Sequence, residues 1–117
     1  MVRIALEAMA AMDGLDGCAL ADAETGMVWH AAGQAGDIEG LSEAAVDFWR
    51  LHSRLRRKFD PLGQLQVLVL VHSRQRMSIV GCGPALLLVA VSARDARLDW
   101  VQWRRRTTEL QELASSF

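Results

Sequence analysis

The sequence predicts a single α/β domain, a three-layer α/β/α sandwich around a five-stranded, mostly antiparallel sheet. Three observations predict this fold class. Apolar residues recur with helical or strand periodicity in eight segments, in the order α-β-β-α-β-β-β-α. Within each run of strands the connections are short enough to be tight turns, which join antiparallel neighbours. The later strands are apolar on both faces, so helices must cover both sides of the sheet.

The length and composition set the class of protein. The chain has 117 residues, 51% of them hydrophobic, with two prolines, which is the composition of one packed domain spanning residues 1–117. The longest strongly apolar run, 84–91, is far shorter than the ~20 residues that a membrane-spanning helix needs. No apolar block of secretory type occupies the N-terminus. We therefore expect a cytoplasmic protein that does not insert into membranes.

The first third of the chain predicts a helix and a hairpin. Residues 1–12 carry an apolar stripe at helical spacing, and Asp13-Gly14 ends that helix. Residues 17–31 predict a β-hairpin, with strands at 18–22 and 27–30 around a turn that contains Gly26.

A long middle helix is predicted from about Ser42 to Phe59, where Asp60-Pro61 ends it. Two lines of residues share its helical spacing. The first line is predicted to face the core: Leu41, Ala44, Ala45, Phe48, Leu51, His52, Leu55 and Phe59. The second line, Val46, Trp49 and Ser53, widens the apolar surface beyond what one sheet face needs, and this predicts an interface, although Trp49 could equally lie at the margin of the core.

The last half predicts three strands and a helix. Strands are expected at 64–72, 77–81 and 85–91, and a helix from Ala96 to Ser115. The strand at 64–72 is apolar on both faces, so at a sheet edge it needs a second chain to pair with. A central position within one monomer is the alternative. The residues expected in a dimer interface are therefore Val46, Trp49, Ser53, Leu65, Val67, Val69 and Val71.

The residues that support common enzyme chemistries are missing or not patterned. There is no phosphate-binding loop, no Cys-x-x-Cys, no His-Glu-x-x-His and no nucleophile elbow. Cys18 and Cys82 are expected to be small apolar side chains within strands. The acids near the first turns are expected to cap the backbone: Asp13, Asp16, Asp22 and Glu24. We predict a non-catalytic protein without a metal or cofactor.

The charge is distributed unevenly along the chain. Residues 1–47 hold one Arg and nine acids, a net charge of −8, whereas residues 48–106 hold twelve bases and three acids, a net charge of +9. This polarity favours an oriented protein partner or a second copy of the chain over nucleic acid. The partner-binding residues are expected to be Arg50, Arg54, Arg56 and Arg57. A solvated helix end is the alternative interpretation of that run.

These segments together resemble the roadblock / dynein-light-chain family. The stretch Gly14-Leu-Asp-Gly-Cys-Ala-Leu-Ala-Asp22 is similar to the family's entry into its first strand, and Asp22-Ala-Glu-Thr-Gly26-Met-Val to its hairpin. Arg76-Met-Ser-Ile-Val and Leu86-Leu-Leu-Val-Ala-Val look like its last two strands. The resemblance covers nearly the whole chain.

The resemblance implies a profilin-like, roadblock-type sandwich. It also implies a dimer in which the third strands pair into one continuous sheet, with the middle helices side by side. In function it implies a non-catalytic regulator or scaffold, in bacteria one that works with a small Ras-like GTPase. A second hypothesis is a small-molecule sensing module, since related α/β sandwiches hold ligands between sheet and helix.

Overall fold

The elements follow one another in the predicted order. A computed structural model describes residues 1–34, 36–95 and 97–114. The helices are α1 (Val2–Ala10), α2 (Ile38–Arg54), α3 (Arg56–Phe59) and α4 (Trp100–Ala114), with a 3-10 turn at Asp60–Leu62. The strands are β1 (Leu15–Asp22), β2 (Val28–Gly33), β3 (Val67–Val71), β4 (Gln75–Gly81) and β5 (Leu86–Ala93). No helix in the described residues is long and apolar enough to cross a membrane.

The five strands form one open, antiparallel sheet in the order β2-β1-β5-β4-β3. The central strand, β5, is buried along almost its whole length. The predicted three-layer antiparallel architecture is confirmed. The strand that is apolar on both faces, β3, lies at one edge and pairs with β4 alone among the described strands, so the central alternative is excluded.

Two buried layers hold the helices against the sheet. On one face α1 and α4 pack against alternate side chains of β1 and β5; the largest fully buried members are Leu6, Met9, Leu20, Leu88 and Leu110. On the other face α2 packs against the intervening side chains; the buried members there include Val46, Ile79, Leu87 and Val89. Successive residues of a strand point to opposite faces, so the two layers share the same strands.

The middle helix begins earlier than predicted. Asp37 is its N-cap, and the Oδ1 atom of Asp37 accepts a hydrogen bond from the Gly40 N–H at 3.0 Å. The predicted start at Ser42 is wrong, because Ser42 lies one turn inside the helix. Its buried hydroxyl donates to the Ile38 carbonyl oxygen at 2.7 Å, which satisfies the polar group without a cap.

The predicted core face of the middle helix is also wrong. Ser42, Ala45 and Val46 are the buried residues of α2, and of these only Ala45 belongs to the line predicted for the core. The large members of that line are exposed: Leu41, Phe48, Leu51, Leu55 and Phe59. Small side chains on the inner face let the helix lie close to the sheet, so the bulky apolar residues occupy its outer face.

The predicted helix to Phe59 is divided in two. Leu55 caps α2 with φ −97° and ψ 8°, and α3 and the 3-10 turn follow. The predicted strand at 64–72 is shorter, so Leu65 precedes β3 instead of lying in it. The last helix begins at Trp100, later than predicted, and the predicted ends Ala96 and Ser115 lie outside the described residues.

The first hairpin turn is held by an acid, as predicted. The Oδ1 atom of Asp22 accepts hydrogen bonds from the N–H groups of Thr25 at 2.9 Å and Glu24 at 2.8 Å. Both bonds favour the ionised carboxylate and therefore lower the pKa of Asp22. The bond from the Thr25 N–H has the larger effect.

Candidate protein-interaction surface

The outer edge of β3 offers unpaired backbone groups. The His72 N–H donates to the Gln75 carbonyl oxygen at 2.9 Å, which closes the turn between β3 and β4. Along an antiparallel strand alternate residues direct their N–H and C=O groups toward opposite neighbours. The N–H groups of Val67, Val69 and Val71 therefore point away from β4, toward an edge that no other strand of the described sheet occupies.

This edge is apolar as well as open. Val67, Val69 and Val71 lie on the α4 side of the sheet and are 46%, 43% and 63% exposed. Leu68 and Leu70 are half-buried against the α2 layer. Unlike protected edge strands, β3 has neither an inward-facing charge nor a proline, so it is a template for pairing with another chain.

A second apolar surface lies on the outside of α2. We define the α2 stripe as Leu41, Phe48, Leu51, Leu55 and Phe59, whose exposed fractions range from 37% to 46%. Phe59 is joined to the end of α2 through His52, since the two rings stack with centroids 4.7 Å apart. Spacings of three, four and seven residues align most of the stripe on one helix face, so it forms a contiguous apolar surface.

The three residues of α2 that were predicted to lie in an interface differ in exposure. Val46 is 1% exposed and leaves no surface for a second chain to contact, so its prediction as an interface residue is wrong. Trp49 is half-buried and packs against the α2 layer of the core. Ser53 is exposed, and its hydroxyl donates to the Trp49 carbonyl oxygen at 3.0 Å.

The exposed apolar surface of α2 is therefore the α2 stripe and not the line through Val46. The signal that could have found it is side-chain size. A helix packed closely on a sheet places small residues inward, and Ser42, Ala45 and Val46 are small residues that share one face of α2.

The predicted basic patch is divided between two helices. Arg50 and Arg54 lie one turn apart near the end of α2, and Arg56 and Arg57 lie on α3. All four are exposed, and none forms an ion pair with another described residue. Their charges are therefore available to an acidic surface, and the position of three of them near helix C-termini also suits the helix dipole.

The two cysteines lie inside the protein. Burial raises the pKa of the Cys18 thiol to about 12 and that of Cys82 to about 11. The Cys18 Sγ also lies 3.4 Å from the Leu6 carbonyl oxygen. Both groups are thiols at neutral pH, and a thiol is a poor nucleophile compared with the thiolate. Within the described residues no cluster of three or more His, Cys, Asp or Glu side chains could hold a metal ion.

The same arrangement of elements occurs in solved structures of low sequence identity. Myxococcus xanthus MglB is 14% identical over 99% of this chain and 96% of that one, with a TM-score of 0.81. The gliding protein MglB from Thermus thermophilus is 19% identical over 99% and 90%, with a TM-score of 0.80. A Roadblock/LC7 domain from Streptomyces avermitilis is 15% identical over 97% and 92%, with a TM-score of 0.73.

No protein-family model and no curated protein sequence matches the chain. The structural likeness therefore defines the fold, and the chain has the roadblock fold.

The faces of α2 can be tested by a pair of truncations. Val46→Ala should lower the free energy of unfolding by about 2 kcal/mol at every protein concentration, because it leaves a cavity beneath the helix. At high dilution Leu51→Ala should change it by less than about 0.5 kcal/mol, because Leu51 is half-exposed. Urea unfolding at several protein concentrations measures both. If Leu51→Ala lowered the free energy of unfolding at high dilution as much as Val46→Ala does, the outer face of α2 would be part of the core.

Proposed function

We propose that this protein is a homodimeric, non-catalytic regulator or scaffold that binds a small Ras-like GTPase. The observation that carries the proposal is the open, apolar edge of β3, in a chain that also exposes the α2 stripe. A monomer that left both surfaces in water would be prone to aggregation. A symmetric pair of chains covers them with one self-complementary interface.

The dimer is proposed to form by antiparallel pairing of β3 with β3 of the second copy. The outward N–H and C=O groups of Val67, Val69 and Val71 would then bond to the partner strand and extend the sheet across the two-fold axis. The α2 stripes would pack on each other. Burying the remaining half of a Leu or Phe side chain contributes about 1 kcal/mol. The five residues of each stripe give ten such side chains in the dimer, whose burial would offset much of the entropy lost on association.

The GTPase is proposed to bind at the α2 and α3 surface. The resemblance to the roadblock family implies this class of partner, and the cluster of Arg50, Arg54, Arg56 and Arg57 supplies exposed positive charge there. A two-fold dimer would carry two copies of the cluster. Such charges accelerate the encounter with an acidic partner and lose that effect as salt shortens the Debye length to ~3 Å at 1 M. This role, in the cytoplasm, requires no catalytic group of the chain.

The proposed dimer can be tested by removing one backbone N–H group from the outer edge of β3. In the proposed dimer Val69→Pro removes an N–H that points to the open edge, while the bonds from β3 to β4 are kept. Sedimentation should give twice the chain mass of 12.9 kDa for the wild type and the single mass for Val69→Pro. Val69→Thr keeps the N–H and serves as the control, so it should remain dimeric. A dimeric Val69→Pro would exclude β3 pairing.

The partner surface can be tested by charge reversal. Arg54, Arg56 and Arg57 are changed together to Glu, and association with a Ras-like GTPase of the same genome is followed by stopped-flow fluorescence. The association rate should fall by about tenfold or more at low salt, and its dependence on ionic strength should weaken. Matched changes of Arg104 and Arg105, on α4, should have little effect. Unchanged kinetics in the triple variant would remove these arginines from the partner surface.

A further inference from the structure

A groove separates α4 from the edge of the sheet, on the face opposite α2. Its volume is about 580 Å³. Val67 and Val69 of β3 lie on its floor, and residues of α4 form one wall. The lining residues used below are Val67, Val69, Arg76, Trp103, Arg104 and Thr107.

Two polar side chains that line this groove have atoms without partners. The Nε and Nη2 atoms of Arg76 and the Oγ1 atom of Thr107 are shielded from solvent, and no group in the described part of the chain forms a hydrogen bond with them. The Arg76 guanidinium carbon lies 5.5 Å from the ring centroid of Trp100, a contact with the ring face that satisfies none of its N–H groups. A buried polar atom without a partner is costly, and native proteins rarely keep one without a function.

The identity of the unpaired atoms indicates what they would bind. The Nε and Nη2 atoms form one edge of the guanidinium, and their N–H bonds are nearly parallel. Two parallel donors match the two oxygens of one carboxylate. The groove carries a second arginine, Arg104, and no Asp or Glu among the described residues that line it. Both the geometry and the charge therefore select an acidic group.

The shape of the groove indicates a chain segment as the source of that group. Its floor includes Val67 and Val69, alternate residues of β3 about 7 Å apart, and Val80 of β4. The half-exposed Val67 and Val69 and the half-buried Trp103 offer apolar contacts there. A ligand that bridges these contacts and Arg76 must combine a carboxylate with apolar side chains several residues long.

We propose that the groove binds an acidic peptide segment of a partner protein, with one Asp or Glu carboxylate on the Nε–Nη2 edge of Arg76. A polar group of the same segment forms a hydrogen bond with the Thr107 hydroxyl, and apolar side chains of the segment cover Val67 and Val69. This site lies across the sheet from α2. It is therefore independent of the GTPase surface proposed above.

The experiment uses a phage library of random dodecapeptides selected on the full wild-type chain. Enriched peptides are synthesised with a fluorescein label, and their dissociation constants are measured by fluorescence anisotropy. Peptides that combine an acid with apolar residues should be enriched. Arg76→Gln should raise their dissociation constants by about tenfold or more, because a charge-assisted pair is lost. Arg105→Gln removes the same charge from α4 outside the groove and should change them little.

A double-mutant cycle shows whether the peptide acid meets Arg76. Replacing that acid with its amide should weaken binding to the wild type, and should cause little additional loss with Arg76→Gln. Thr107→Val, which is nearly isosteric, provides a second variant if Arg76→Gln does not fold, and it should also weaken binding.

Three results would overturn the proposal. The first is enrichment of no acidic peptide. The second is equal affinity of the acidic peptides for the wild type and for both groove variants. The third is a change in the sedimentation coefficient of folded Arg76→Gln without peptide, because a second copy of the chain would then occupy the groove.

Discussion

The open edge of β3 is the constraint on which the rest of this molecule depends. Five strands leave two edges, and within the described residues the edge at β3 has no charge, proline or covering helix to protect it. Its outward backbone groups and its three exposed valines face water in a single chain, and the proposed pairing with a second copy would cover them. The proposed dimer would also account for the exposed stripe on α2, because a helix whose outer face a second copy covers can carry Phe and Leu there.

The two faces of the sheet are built for different tasks. On one face α2 places small residues against the sheet and large apolar residues outward, beside a cluster of arginines. On the other face α1 and α4 cover β1 and β5 but leave the valines of β3 beside a groove with the unpaired guanidinium of Arg76. The proposed GTPase surface and the proposed peptide site thus lie on opposite faces of the sheet, and the β3 edge proposed for the dimer lies between them. A dimer would carry two copies of each site.

Much of the fold was predictable, because turn chemistry and apolar periodicity are local. The element order and the antiparallel sheet follow from short connections such as 72–75. The inner face of α2 was not predictable from hydrophobicity, since Phe48 and Val46 are both apolar and only the close approach to the sheet distinguishes them. The burial of Ser42 is tolerated because its hydroxyl donates a hydrogen bond within its own helix. The unpaired atoms of Arg76 and Thr107 depend on how α4 lies across β4, which no local pattern encodes.

Amide hydrogen exchange at β3 tests the central claim most directly. In the native protein the amides of Leu68 and Leu70 face β4, whereas those of Val67, Val69 and Val71 face the open edge. If β3 pairs with a second copy, the three valine amides should exchange slowly at high protein concentration, and their exchange should become faster on dilution while Leu68 and Leu70 stay protected. Rapid exchange of the valine amides at every concentration, beside protected leucines, would contradict the paired edge.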